Sequence, residues 1–315
     1  MALILFGNGC ASFQNGFLGL APVGDKKTYV RAREAYSKGN YQKAIEELSS
    51  YIYKTKNVRR REERAYRLLG KSYEEMDRLN EALEVYSEAL EFHPNSVPLL
   101  IAAAELYQRT GLRDRAQQLF EQALKQEPEN LQALCALAYN YYLVGFDSKA
   151  QEIYKRFFEL NPTAEPLYRA RYAQTFLHQH DYEQAFIHST IALIQEPDNS
   201  EFWLLHARAA HGLNLSQEAL DSLETALDLS PNERELLSTK ALWLYQAKEF
   251  EKALQTAQQI LTQQPNNQLA RLVLALCQYR QKRPNTARKE LQKIIQIAPD
   301  TFVGKVARGI LEQIS

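Results

Sequence analysis

Seven prolines set a ruler along this chain. Pro94, Pro128, Pro162, Pro197, Pro231, Pro265 and Pro299 stand 34, 34, 35, 34, 34 and 34 residues apart. Proline supplies no backbone N–H and biases the residue before it away from helix, so a regular proline series marks recurring corners. Twelve residues before each proline is an alanine: Ala82, Ala116, Ala150, Ala185, Ala219, Ala253 or Ala287. Twelve residues earlier again stands Gly70, Ala104, Ala138, Ala173, Ala207, Ala241 or Ala275. Small residues at two fixed places let two antiparallel helices approach to about 8 Å. The spacing therefore predicts a repeated helical hairpin.

Larger residues fall where such a hairpin needs filling. Tyr73, Tyr107, Tyr141 and Phe176 lie three residues after the first small position, and Tyr86, Phe120 and Tyr154 four after the second. These steps keep apolar groups on one helix face. Thr110-Gly111, Val144-Gly145 and Leu213-Asn214 are turn signals at the bend of the hairpin. A further copy precedes the seven, with Ala32, Ala35, Gly39, Tyr41, Ala44 and Leu48 in register but Lys56 in place of the proline. Ala44 to Ala82 is 38 residues, so about four extra residues enter near 57–61. Gln278 and Ala257 replace bulky residues toward the C-terminus, which predicts looser packing there.

The period of 34 with its small, small, aromatic and proline positions resembles the tetratricopeptide repeat over residues 63–301. The resemblance implies an all-α fold, a right-handed superhelical solenoid of about eight helical hairpins plus a C-terminal capping helix. The expected organisation is a tether over 1–24 and a degenerate first repeat with its insertion over 25–62. Seven units follow, at 63–96, 97–130, 131–164, 166–199, 200–233, 234–267 and 268–301, and then a cap over 302–315. Val303, Val306, Ile310 and Ile314 give that last segment an amphipathic stripe, suited to covering the final apolar face of a stacked array.

The first residues bear on the protein's address. Five apolar residues, Ala2 to Phe6, precede Gly9-Cys10-Ala11-Ser12, a run that resembles the end of a bacterial lipoprotein signal, in which the cysteine becomes acylated. Cys10 is then the anchor, residues 11–24 the tether, and the expected location the bacterial envelope, facing the periplasm. No Lys or Arg precedes the apolar run, and it is shorter than the about 7–15 residues of a secretory core. The other reading is a chance cysteine in the tail of a cytoplasmic protein. Between Lys54 and Lys71 eight cations against Glu62 and Glu63 give a local excess of six positive charges. Such a run is a solvated face or a contact for an anionic membrane or an acidic partner.

Composition closes several routes. With 38 basic and 38 acidic side chains the net charge is zero, which argues against a surface built to coat nucleic acid. No run approaches the roughly 18 apolar residues of a membrane-spanning helix. Cys10, Cys135 and Cys277 are too sparse for a disulfide framework or a metal knuckle. The chain has no phosphate-binding glycine loop, GxSxG elbow or HExxH helix. His178, His180, His188, His206 and His211 do not repeat on one helix face, so no metal site is expected. The sequence calls for no cofactor and no catalysis, and sets no oligomeric state.

What the resemblance implies instead is a groove for a protein or peptide, lined by the first helix of each hairpin. Carried over by register, its residues are Arg33, Arg64, Arg67, Lys71, Glu105, Cys135, Tyr139, Tyr142, Gln174, Arg208, His211, Leu242, Tyr245, Leu272, Leu276 and Tyr279. Basic residues come first, then aromatic, then apolar ones, which suits a peptide with an acidic and an apolar end. The leucines equally suit packing between helices. The family's clamp for a C-terminal carboxylate needs asparagines, whereas the matching places hold Tyr29, Arg33, Arg67, Lys71, Ile101 and Glu105, so no such clamp is expected. The resulting expectation is a scaffold, lipid-anchored and assisting assembly of an envelope complex; the alternative is a cytosolic adaptor that regulates a partner.

Overall fold

The structure, a computed structural model, describes residues 26–54, 62–231 and 234–314. Cys10 and the tether, Lys56 and the basic residues Arg59 to Arg61 of the insertion lie outside the described residues. Those described form seventeen α-helices and no strand. The helices alternate as first and second arms of hairpins: α1 (Lys26–Ser37) with α2 (Tyr41–Tyr53), α3 (Glu63–Glu74) with α4 (Leu79–Phe92), α5 (Val97–Arg109) with α6 (Arg113–Gln126) and α7 (Leu131–Leu143) with α8 (Asp147–Leu160). They continue as α9 (Pro166–His178) with α10 (Tyr182–Gln195), α11 (Ser200–Gly212) with α12 (Ser216–Leu229), α13 (Arg234–Gln246) with α14 (Phe250–Gln263) and α15 (Gln268–Arg280) with α16 (Pro284–Ile297). A single helix, α17 (Phe302–Gln313), follows. This is about eight hairpins and a C-terminal helix, grouped in two compact units that meet in the chain after Asn140, within α7.

Each ruler proline stands two residues beyond the end of a second helix. Two residues further comes the cap of the next first helix: the side chains of Ser96, Asn130, Asn199, Asn267 and Thr301 accept backbone N–H groups of the first turn. The one 35-residue interval has a local cause. Ala164 occupies the capping place after Pro162, and an added residue brings Pro166 to the start of α9, where proline's fixed φ suits a first helical position.

The opposite corners are equally regular. One residue in each hairpin bend has positive φ: Gly39, Asp77, Gly111, Gly145, His180, Asn214, Lys248 and Lys282. The next residue donates its N–H back to the carbonyl five residues earlier, as Arg78 does to Tyr73 and Arg283 to Gln278, at 2.9 and 3.0 Å. This closes the helix end in a Schellman motif, for which a left-handed residue is the geometric requirement.

Packing follows the small residues. All seven alanines of the second helices are buried, and so are their partners from Gly70 to Ala275. Gly70 shows why bulk is excluded: an added Cβ would lie 2.3 Å from the ring of Tyr86. Tyr86, Phe120 and Tyr154 are themselves fully buried. Ala257, at the equivalent place in α14, is buried too, but the Oε1 of Gln278 is enclosed without a hydrogen-bond partner, a local fault in the packing of α15.

Candidate interaction face

Within residues 26–140, α1 lies beside α3 and α3 beside α5, while each also packs on its own second helix. The side chains these first helices turn away from their partners form the open face. Arg33 on α1 is exposed; on α3, Arg64 and Lys71 are exposed and Arg67 is half-buried. Arg64 is committed: its Nε donates to Glu62 at 2.5 Å, and its guanidinium lies 4.8 Å from the ring centre of Tyr29. That hydrogen bond holds the Glu62 carboxyl below its ordinary pKa. Glu74 is saturated as well, accepting from Arg109 at 2.6 Å and from the Tyr86 hydroxyl at 2.7 Å. Glu105 accepts from Gln132 at 2.8 Å. Arg33, Arg67 and Lys71 remain with no ion pair or hydrogen bond from their side chains among the described residues. Cations on adjacent helices with no ion-pair partner favour an anionic ligand.

Two residues carried over by register do not reach this open face. Cys135 is only 8% exposed, and its thiol donates to the Gln132 carbonyl. Ile101, one of the clamp-equivalent places, is buried. Tyr139 is half-buried.

In residues 141–314 the corresponding face is aromatic. The Tyr142 ring stacks on His178 at 4.8 Å, and His178 Nδ1 lies 3.4 Å from Asp147. His211 stacks on Trp243 at 4.3 Å with the planes 10° apart, and burial lowers its pKa. Arg208 is exposed and Gln174 half-buried. Tyr245 sets its edge against Phe250 at 5.3 Å. Leu272 is 7% exposed, and Leu242 and Leu276 pack into the cores, so these leucines serve contacts between helices. Tyr279 keeps 49% of its surface open. Register missed His178, and it missed Trp243, which at 8% exposed backs His211 from the core. Their signal is a partner about one period away: Tyr142 and His178 are 36 residues apart, close to the repeat length.

Among the described residues no group of three or more His, Cys, Asp or Glu could hold a metal ion. One arrangement invites a catalytic reading. Ser189 Oγ is 3.1 Å from His206 Nδ1, and His206 Nε2 is 3.3 Å from Glu218, the order of groups that activates a serine nucleophile. Ser189, however, is fully buried, and its hydroxyl also reaches the Phe186 carbonyl at 2.9 Å. The three groups tie α10, α11 and α12 together. Desolvation lowers the His206 pKa against the opposing pull of Glu218. Burial pushes the Cys277 thiol up to about 11, which removes its nucleophilic thiolate at neutral pH. No described helix is long and apolar enough to cross a membrane.

Three family models, each described as Tetratricopeptide repeat, match residues 73–138 and 244–304, residues 29–97, and residues 200–233. No curated protein matches the chain in sequence. Among solved structures it is similar to a tetratricopeptide repeat protein from Parabacteroides merdae, with 18% identity, 80% of this chain and 97% of that one covered, and a TM-score of 0.59. The APC/C hetero-tetramer Cut9–Hcn1 aligns at 14% identity and a TM-score of 0.56, covering 91% of this chain and 55% of that one. YrrB, described as having an unusual peptide-binding site, aligns at 20% identity and a TM-score of 0.51, covering 64% of this chain and 97% of that one. At these identities the likeness is one of fold.

Proposed function

From the premise that this chain belongs to the tetratricopeptide repeat family, we propose that it is a non-catalytic scaffold for protein–protein interaction whose first helices receive segments of a partner. The observation that carries this reading is the set of uncompensated cations Arg33, Arg67 and Lys71 on the neighbouring helices α1 and α3. They suit an acidic stretch of a partner protein. The aromatic and exposed residues of the second unit, Tyr142, His211 and Tyr279 among them, suit apolar side chains. The peptide site named for YrrB supports the reading by analogy of fold, which by itself does not fix function.

Arg67→Glu with Lys71→Glu should weaken binding of an acidic synthetic peptide at least about tenfold, with a loss that shrinks as salt rises. Measured by fluorescence anisotropy, equal affinity for wild type and variant would refute the assignment of this face.

For the address, the reading is a lipoprotein held by acylated Cys10 that assists assembly of a bacterial envelope complex, with the remaining cations of the 54–71 stretch near the membrane. The Gly9-Cys10-Ala11-Ser12 run supports it. The alternative is a cytosolic adaptor that regulates a partner. Radiolabelled palmitate incorporation decides: labelling lost in Cys10→Ser supports the anchor, and unlabelled protein supports the adaptor.

A further inference from the structure

A second charged surface lies far along the chain from the cations of α1 and α3. Between residues 280 and 314 eight lysines and arginines stand against three acids, Glu290, Asp300 and Glu312. Glu290 is already held by Arg271 and Lys293. Lys282, Arg283, Lys289 and Lys305 are exposed, and among the described residues their side chains have no acidic partner.

The period shows what is unusual about α17. Moving 34 residues on from α15, Leu274 becomes Arg308, Ala275 becomes Gly309 and Gln278 becomes Glu312. Leu274 and Ala275 are buried in their hairpin, whereas Arg308 is exposed and Gly309 has open space where a side chain would stand. These replacements make a polar outer face and need only solubility to explain them. Phe302 runs the other way. It takes the place of Gln268, and it is 82% exposed, the most exposed large apolar side chain among the described residues. Ile297, just before it, is 40% exposed.

We propose that the surface formed by α16 and α17 docks on an anionic phospholipid membrane, with Phe302 entering the interface and Lys305, Arg308 and their basic neighbours facing the headgroups. An exposed aromatic side chain beside long, flexible cations is the combination that holds amphipathic elements at a lipid interface. A fluid anionic surface also needs no fixed geometry from its cations, and these lysines have none imposed by hydrogen bonds. Charge complementarity thus favours lipid over a rigid protein pocket. Its residues are distinct in sequence from Cys10 and from the 54–71 stretch.

The test uses the full chain carrying Cys10→Ser, so that no acyl group contributes, sedimented with vesicles of phosphatidylcholine alone or with about one-third phosphatidylserine. The expected result is binding to the phosphatidylserine vesicles only, declining with salt. Lys305→Glu with Arg308→Glu should weaken it at least about tenfold and Phe302→Ala several-fold. Phe302→Trp should retain binding and become quenchable by brominated lipid. Arg67→Glu with Lys71→Glu should leave binding unchanged. Absence of binding to phosphatidylserine vesicles, equal binding to both vesicle types, or insensitivity to the changes in α17 would overturn the proposal. Equal loss in the α3 variant would overturn it as well.

Discussion

The two compact units build the same hairpins but place different polar groups between their helices. In residues 26–140 tyrosine hydroxyls donate to carboxylates: Tyr86 to Glu74 at 2.7 Å, Tyr66 to Glu88 at 3.1 Å and Tyr53 to Glu88 at 2.7 Å. Burial drives the Tyr86 phenol far above its ordinary pKa, so it remains a donor throughout the accessible pH range. In residues 141–314 imidazoles stand among aromatic rings instead. His188 lies between Tyr172 at 4.5 Å and Phe176 at 5.6 Å, and His206 lies 4.2 Å from Phe186. The repeat fixes where helices meet and leaves open which polar group bridges them. That choice sets how each unit responds to acid.

The largest effect should come from breaking the small-residue rule on which both units rest. Ala150→Trp places an indole where α8 has no space, and overpacking of this kind costs about 3 kcal/mol or more. Denaturant unfolding should show a lowered midpoint, and an unchanged midpoint would mean that the alanine row does not mark helix contacts.

Acid should separate the units next. Burial, aided by the nearby Arg169 cation, lowers the His188 pKa from 6.5 to about 4, and its Nδ1 is enclosed without a hydrogen-bond partner. The folded state thus binds fewer protons than the unfolded chain between these values. The stabilisation is complete above about pH 6.5 and is lost as pH falls toward 4, by on the order of 2 kcal/mol. His206 and His211 shift in the same direction. Hydrogen exchange followed by pH should show protection falling in α9 to α12, and His188→Phe should blunt the fall. Equal acid sensitivity in that variant would contradict the assignment.

Two mid-helix glycines should respond with opposite sign. Gly70→Ala drives a methyl into the Tyr86 ring, which is buried and tied to Glu74, and should cost about 2 kcal/mol despite the better helix propensity of alanine. Gly309→Ala meets nothing within 4 Å and should stabilise by up to about 1 kcal/mol. Thermal melts of the pair would show it. The smallest effect belongs to the strained corners. Lys282→Gly relieves a left-handed φ of 59° and should raise stability by about 0.5–1 kcal/mol, whereas Gly111→Ala should lower it by about as much.

Half of the hairpin bends could be read from glycine or asparagine, as at Gly39, Gly111, Gly145 and Asn214. The other half use Asp77, His180, Lys248 and Lys282, of which the two lysines carry no turn signal in isolation. There the backbone bonds of the Schellman corner hold the conformation against a side-chain preference of about 1 kcal/mol, so composition cannot disclose it. The interaction face was legible in outline only. Register placed Arg33, Arg67 and Lys71 on first helices, but nothing in the sequence distinguishes them from Arg64, which the fold pairs with Glu62. Leu272 and Tyr279, seven residues apart on α15, are respectively buried and open because neighbouring helices cover one and not the other.

By itself the sequence determined the period, the helical hairpin and the sites where helices approach, because proline and small residues act through local backbone geometry and steric bulk. Tertiary structure alone decided which charges are neutralised, which histidines are desolvated and which apolar side chains stay exposed. Those properties depend on the distances that packing sets between groups, and a pattern of residue types carries no such distance.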